Sequence, residues 1–451
     1  MAKTAGFSRT ARRIAVIIAV IVAVGVCGRL LQKTLDSRLL GERGPYLQMP
    51  APEAVTVRWQ TEEPQASLLR YGRAGSGDWR EAANKGRRRI HSIRLTGLQP
   101  ATGYRYRVPA LDQSDQNHGF TTPPPPGSEQ PVRLWVLGDP GTFNDNARGV
   151  QRSARNWLSE HRRDNLPLLD VWLTTGDNAY TSGRNSEFQE ALFEPYADWL
   201  ARFPLWPAYG NHDARRWAFF RIFELPAQAQ SGGVPSSTEH YYAFDHASVH
   251  VIMLDSQGSD LDVGGDMYQW LRRDLRASNA RWQIAVFHHP PYSKGSNDSD
   301  AAAGSDWRQR AMRENFLELL EQQGVDLVLN GHSHAYERSH LLAGHYGTSD
   351  TLEPSMLRDA GPGRPGDPYR RPVECSEACG TVYLVLGSSS TLVPGSLDHP
   401  AMAVSRARGG SVVIDIEGNR LQGRFITADG AIADHFAIVK GAAAASGKPA
   451  E

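Results

Sequence analysis

The feature that most constrains this chain is a pattern repeated five times: a short apolar run that ends in a polar loop, usually rich in glycine. Leu137 is followed by Gly138-Asp139-Pro140-Gly141, and Thr175 by Gly176-Asp177-Asn178-Ala179-Tyr180. Tyr209 is followed by Gly210-Asn211-His212-Asp213, Phe287 by His288-His289-Pro290-Pro291, and Leu329 by Asn330-Gly331-His332-Ser333-His334. The apolar runs have strand composition and alternate with helical stretches, which predicts an α/β domain over 131–440. Candidate strands are 132–137, 168–174, 249–255, 283–287, 325–329 and 381–386. Met312, Phe316, Leu319 and Leu320 share one helical face, with Gly324 as a C-terminal stop, and Trp270, Leu271 and Leu275 mark another helix. Loops at the carboxyl ends of neighbouring parallel strands meet in space.

Taken singly, each loop has a plain reading. Gly-Asp at a strand end makes a turn, and Asn-His-Asp makes a cap or loop. Five in succession, each after a predicted strand, are not accounted for in that way. Together they bring two aspartates, an asparagine, a tyrosine and several histidines to one place. Carboxylate and phenolate oxygens suit a hard trivalent ion, and imidazole suits divalent Zn, Fe or Mn. One aspartate can bridge two ions about 3.5–4 Å apart, the spacing of two-metal hydrolytic sites. The glycines let the backbone turn sharply, so that short side chains reach inward.

Ahead of this domain, residues 50–122 alternate apolar and polar side chains: Val55, Val57 and Trp59, then Leu69 and Tyr71, Ile93 and Leu95, and Tyr104, Tyr106 and Val108. Period two with frequent turn residues predicts a small all-β sandwich. Its stretch from Leu95 to Val108 resembles the E–F corner of a fibronectin type III domain. The linker 123–130 opens on four consecutive prolines, which favour an extended, semi-rigid connection. Residues 341–380 are rich in Gly, Pro, Asp and Arg without periodicity and read as a surface insertion. Residues 441–451 read as a disordered tail.

Lys plus Arg and Asp plus Glu are equal at 49 each in 451 residues, so the net charge is zero. No whole-chain field is available to hold nucleic acid. The zero conceals an asymmetry: residues 1–47 carry +6 and the remainder −6. Within 1–47, the run from Ile14 to Cys27 has no polar side chain, Lys3, Arg9, Arg12 and Arg13 precede it, and Arg29 follows. This is the pattern of an export signal. As a helix the run rises about 21 Å, short of a ~30 Å hydrocarbon core. Both a cleaved signal peptide and a short signal anchor over 14–28 stay open, and each puts the rest of the chain outside the cytosol. Cys375 and Cys379 are then expected to form a small disulfide loop.

The five loops, in this order, resemble the metallophosphoesterase superfamily and, within it, the purple acid phosphatases. Their pattern is Asp-x-Gly, Gly-Asp-x-x-Tyr, Gly-Asn-His-Asp/Glu, a His at a strand end, and Gly-His-x-His. Further matches run from Glu239 to Asp245 and from Val249 to Asp255, and continue at Tyr336-Glu337-Arg338. Most metallophosphoesterases have a histidine where this chain has Gly141. The purple acid phosphatases place a tyrosine, here Tyr180, in compensation. The resemblance implies an α/β/β/α sandwich behind the fibronectin-like module. It implies a ferric site of Asp139, Asp177, Tyr180 and His334. It also implies a divalent site (Zn, Fe or Mn) of Asp177, Asn211, His288 and His332. His212 would face the substrate phosphate, stabilising its charge or protonating the leaving group, and the reaction would be hydrolysis of a small phosphomonoester, with an acid optimum, by metal-activated hydroxide. One departure is plain: family members often carry a further leaving-group histidine after the strand-end block, and residues 293–330 contain none.

Two other functions compete: a phosphodiesterase, nucleotidase or pyrophosphatase on the same dinuclear site, and a non-enzymatic surface-binding protein. The remaining histidines have ordinary readings. His289 is expected to point away from the site if its strand continues. His240, His246 and His250 are expected to be structural, and His340 and His345 to be solvated.

Overall fold

The computed structural model describes residues 9–38, 41–111, 118–301, 307–373, 375 and 379–441. Arg9–Arg38 is a single helix in a unit of its own. Its apolar side chains, among them Val16, Ile18, Ile21, Val24 and Leu31, are exposed. Among the described residues, no helix is long and apolar enough to cross a membrane. Apart from Gly441, the expected tail lies outside the described residues.

The β-rich module begins at Arg43–Ala51, earlier than the alternation indicates, because Pro45 and Pro50 break the pattern of that first strand. One long strand, Ala54–Arg73, organises the module. Its start pairs with Arg43–Ala51, its end pairs with Gly103–Arg107, and Arg80–Thr96 lies along it. His118–Thr121 closes the order. All five strands are joined by hydrogen bonds into one sheet, with register shifts between Gln60 and Ser67. Val55, Val57, Trp59, Ile93, Leu95 and Tyr106 form its core. The alternate residues Thr56, Arg58 and Gln60 are also buried, which a half-solvated sheet does not predict. Arg58 shows why: it donates to Arg221 O at 2.8 Å and pairs with Glu224 at 3.2 Å. Tyr46 and Tyr106 likewise donate to Ile222 O (2.7 Å) and Ala201 O (2.8 Å), so the module is keyed into the α/β domain by hydrogen bonds.

The α/β domain has two seven-stranded sheets. The first runs in the order Met402–Arg406, Tyr336–Ser339, Val382–Val385, Leu327–Asn330, Trp282–Val286, Val249–Met253, Tyr242–His246. The second runs Tyr369–Arg371, Ile432–Lys440, Arg420–Thr427, Gly410–Glu417, Val132–Leu137, Val171–Thr174, Leu205–Pro207. The sheets face each other across one core. Val251, Ile284, Val286, Leu327 and Leu329 from the first meet Leu134, Val136, Leu173 and Val412 from the second. Ile252, Ala285 and Val328 point the other way, into a core with the helices Asp266–Ala277, Trp307–Asn315 and Leu317–Gln322. The helix Asp145–Glu160 buries Val150, Ala154, Trp157 and Leu158 on the far side. Its N-cap Asn144 accepts from Ala147 N at 3.0 Å. The layers are thus helix, sheet, sheet, helix, as expected.

Three details depart from the sequence reading. The helix expected through Met312 and Leu320 is interrupted at Phe316. The insertion is not only surface: Tyr369–Arg371 joins the second sheet. His345, expected in solvent, is fully buried and stacks on Tyr292 at 5.3 Å. Cys375 and Cys379 form the expected disulfide.

Candidate metal centre

Val132–Leu137, Val171–Thr174 and Leu205–Pro207 are adjacent and parallel. Their carboxyl ends therefore deliver Asp139, Asp177 and Asn211 side by side. In the other sheet Trp282–Val286 and Leu327–Asn330 are parallel neighbours that deliver His288, His332 and His334. All seven expected ligands meet at this edge.

They form two linked groups. In one, Tyr180 Oη donates to Asp139 Oδ2 at 3.2 Å and lies 3.1 Å from His334 Nε2, which is 3.5 Å from Asp139 Oδ2. In the other, Asn211 Oδ1 is 2.9 Å from His288 Nε2 and 3.0 Å from His332 Nδ1, and Asp177 Oδ2 is 3.4 Å from His288 Nε2. Ligand atoms of Asp139, Asp177 and His288 all lie within 4.8 Å of one another, so Asp177 stands at the junction.

The backbone is bent to make this possible. Asp139, Asp177 and His332 have φ of 52°, 50° and 65°, a left-handed conformation that non-glycine residues seldom adopt. Such conformations cost on the order of 1–3 kcal/mol each and gather at functional sites. Glycines supply the clearance. A β-carbon on Gly331 would stand 2.1 Å from Asp139 Oδ1, and one on Gly210 would stand 2.3 Å from Asp177 Oδ1. Gly141 explains the compensation seen in the sequence: a β-carbon there would be 2.8 Å from Tyr180 Cδ2. Loss of the side chain in the first loop makes room for the tyrosine of the second.

The protonation pattern fits a cation. His288 Nδ1–H donates to Thr175 O at 2.9 Å, since a carbonyl can only accept. In a neutral ring, Nε2 then presents a lone pair to two more acceptors, Asn211 Oδ1 and Asp177 Oδ2. A positive charge at Nε2 reconciles them. Without a metal, a proton does this: burial opposes the charge, but Asp177 outweighs it and raises His288 to about 9. Asp177 is held low, because His288 and His212 outweigh its own burial. Tyr180 is pushed well above the ordinary phenol value by burial and by Asp139 and Asp177, so a phenolate there requires a cation beside it. The donor set of buried carboxylates, amide oxygen, phenol and imidazoles therefore fits two metal ions.

His212 borders the centre. Its Nδ1–H donates to Thr181 O at 2.7 Å, Arg215 approaches its Nε2 at 3.4 Å, and its backbone N–H donates to Asp177 Oδ1 at 2.8 Å. His289 does not point away. The strand ends at Val286, so alternation no longer applies, and its ring lies 4.6 Å from that of His332, with Nδ1 2.8 Å from Ser256 Oγ.

Sequence reasoning gave no role to Asp213 and Asn178. Buried Asp213 accepts from Asn178 N and Nδ2, each at 2.9 Å, and from Gly210 N at 3.0 Å, so it locks the second and third loops together. Its place at the end of Gly-Asn-His-Asp was the available signal.

With this geometry in view, comparison with known proteins points the same way. Residues 132–336 match the calcineurin-like phosphoesterase family, and residues 43–122 match the purple acid phosphatase N-terminal domain. The chain carries a calcineurin-like phosphoesterase domain behind a purple acid phosphatase N-terminal domain. Purple acid phosphatase 15 of Arabidopsis thaliana is 28% identical over 69% of this chain and 55% of its own length. Purple acid phosphatase 22 of the same plant is 30% identical over 55% of this chain and 54% of its own length. The chain thus spans little more than half the length of these two relatives. In fold it is similar to a purple acid phosphatase from yellow lupin seeds, with a TM-score of 0.65, 16% identity, and 89% and 74% of the two chains covered. It is also similar to PhoD, with a TM-score of 0.59, 12% identity, and 89% and 90% covered.

Proposed function

We propose that this chain is an exported phosphomonoester hydrolase that works with a ferric and a divalent metal ion. The observation that carries the reading is the lone-pair conflict at His288, set within seven donors of the right chemistry. Asp139, Tyr180 and His334 would hold the ferric ion, Asn211, His288 and His332 the divalent ion, and Asp177 both. Such a pair supplies Lewis acidity, which lowers the pKa of water and withdraws charge from a phosphoryl group.

The chain's own residues do the rest. Thr175 O fixes the His288 ring, and Asp213 fixes the loops of Asp177 and Asn211 relative to each other. His212, half-buried beside Tyr180 with Arg215 next to it, faces the phosphate and stabilises its charge. Export rests on the basic, apolar N-terminal segment.

The test is joint measurement of iron and zinc content, hydrolysis of 4-nitrophenyl phosphate from pH 4 to 8, and a visible spectrum. The reading expects iron, activity and a broad visible band that Tyr180→Phe abolishes. A colourless, iron-free and fully active protein would overturn the ferric assignment. A panel of phosphate mono- and diesters separates the monoesterase from a diesterase or pyrophosphatase.

A further inference from the structure

The sequence lacks the family's usual leaving-group histidine and reads His240 as structural. Its surroundings are not those of a structural histidine. His240 Nδ1 is 2.6 Å from Asp255 Oδ2. The imidazole side chain is 39% exposed, whereas the Asp255 side chain is 0% exposed. Every other position around that carboxylate is filled by a donor: Gln257 N at 2.8 Å, Gly258 N at 2.7 Å and Ser259 Oγ at 3.0 Å. Such a cage holds the carboxylate immobile. The result is a buried aspartate that orients a partly exposed imidazole by one nitrogen, Nδ1, and so leaves Nε2 out of that contact.

The pair belongs to the edge that carries the metal centre. Asp255 lies just past the strand Val249–Met253, which pairs in parallel with the strand leading to His288. The next residue, Ser256, bonds His289, whose ring packs on His332. On the opposite side, the His240 ring meets Tyr209 edge-on at 5.6 Å, and Tyr209 is two residues before Asn211. Phe220 covers a further side at 4.4 Å. The dyad is thus tied to two of the loops that supply the divalent-site donors, those of Asn211 and His288. The alternative at hand, His212, has Nδ1 engaged by Thr181 O and Arg215 at Nε2. His212 is thus placed to sense negative charge, and a proton donor is still needed.

We propose that the His240–Asp255 dyad supplies the proton to the leaving group. The inference rests on the phosphomonoesterase reading above and deepens it. Water provides the new oxygen–phosphorus bond, and the bond from phosphorus to the ester oxygen breaks. Its electron pair stays on that oxygen, which takes the Nε2 proton of the His240 imidazolium. The neutral ring, still held by Asp255, regains a proton from solvent. The Tyr209 and Phe220 rings form an apolar wall beside the departing group.

The test compares wild type, His240→Gln and Asp255→Asn on esters whose leaving groups need protonation to different degrees. 4-Nitrophenyl phosphate leaves readily without a proton, and 2-phenylethyl phosphate does not. General-acid assistance is worth about 10²–10⁴-fold. His240→Gln should therefore lower kcat/KM for the alkyl ester about 100-fold more than for the nitrophenyl ester. Asp255→Asn should move the ratio the same way. Metal content and thermal stability are measured on each protein, and His240→Asn serves as the second variant should one fail to fold. An equal fall on both esters, or no fall on the alkyl ester, overturns the dyad while the hydrolase reading stands. A wild type inactive on every ester overturns both.

Discussion

At the scale of single residues, the site depends as much on side chains that are missing as on those present. Gly331 leaves space that Asp139 occupies. Gly331→Ala should therefore displace that carboxylate and lower metal occupancy and activity together. Changes just outside the ligands typically cost 10–100-fold in metal affinity, and metal analysis of the folded variant checks this. Asp213→Ala would leave three donors at the loop junction without an acceptor, at about 1–3 kcal/mol for each that stays buried. Urea unfolding should show a loss of at least about 2 kcal/mol. The seven candidate ligands were legible because each follows a strand within a few residues, so sequence position nearly fixes spatial position. Asp255 was not, because its partner His240 lies 15 residues earlier and across a strand pair. No local spacing encodes that contact.

At the scale of elements, His250 ties three together. It sits on Val249–Met253, with Nδ1 2.7 Å from Asp245 on the neighbouring strand and Nε2 2.8 Å from Asp274 on the helix Asp266–Ala277. Burial disfavours its charge, but the hydrogen bonds and charges of the two aspartates win and raise it from 6.5 to about 9. A raised value means that this stabilisation is fully present below pH 6.5 and is lost as pH rises through about 9. At 1.36 kcal/mol per unit it is on the order of 3 kcal/mol. Denaturation across pH 6–10 should show wild type losing stability that His250→Gln lacks throughout. Strand cores such as 132–137 were legible from composition, because strands buried on both faces read as continuous apolar runs. The strand Arg43–Ala51 was not, since its prolines mask the period. The break at Phe316 was not either, because helix periodicity continues across it.

At the scale of the whole molecule, Arg9–Arg38 forms a unit apart from Glu42–Glu451. A chain truncated before Glu42 should keep wild-type metal content and specific activity. Residues 1–41 fused to a periplasmic reporter enzyme should direct its export, and a cytosolic reporter would refute the targeting reading. The β-rich module behaves differently, because Tyr46, Arg58 and Tyr106 hydrogen-bond into the α/β domain. Removing it uncovers those partners, and loss of soluble protein is the expected result. The candidate metal centre also belongs to this scale. Asp139, Asp177, Tyr180 and Asn211 come from loops of one sheet, and His288, His332 and His334 from loops of the other. An ion bound only by the folded chain at 100 times its dissociation constant adds about 2.7 kcal/mol of stability. Chelation should lower the melting temperature accordingly, and Asp177→Ala should be insensitive to the chelator. A centre drawn from both halves is a seam as well as a site. The cations proposed for it would also stitch the two sheets together, so a chain starved of metal would loosen its grip on its own shape as it lost its chemistry.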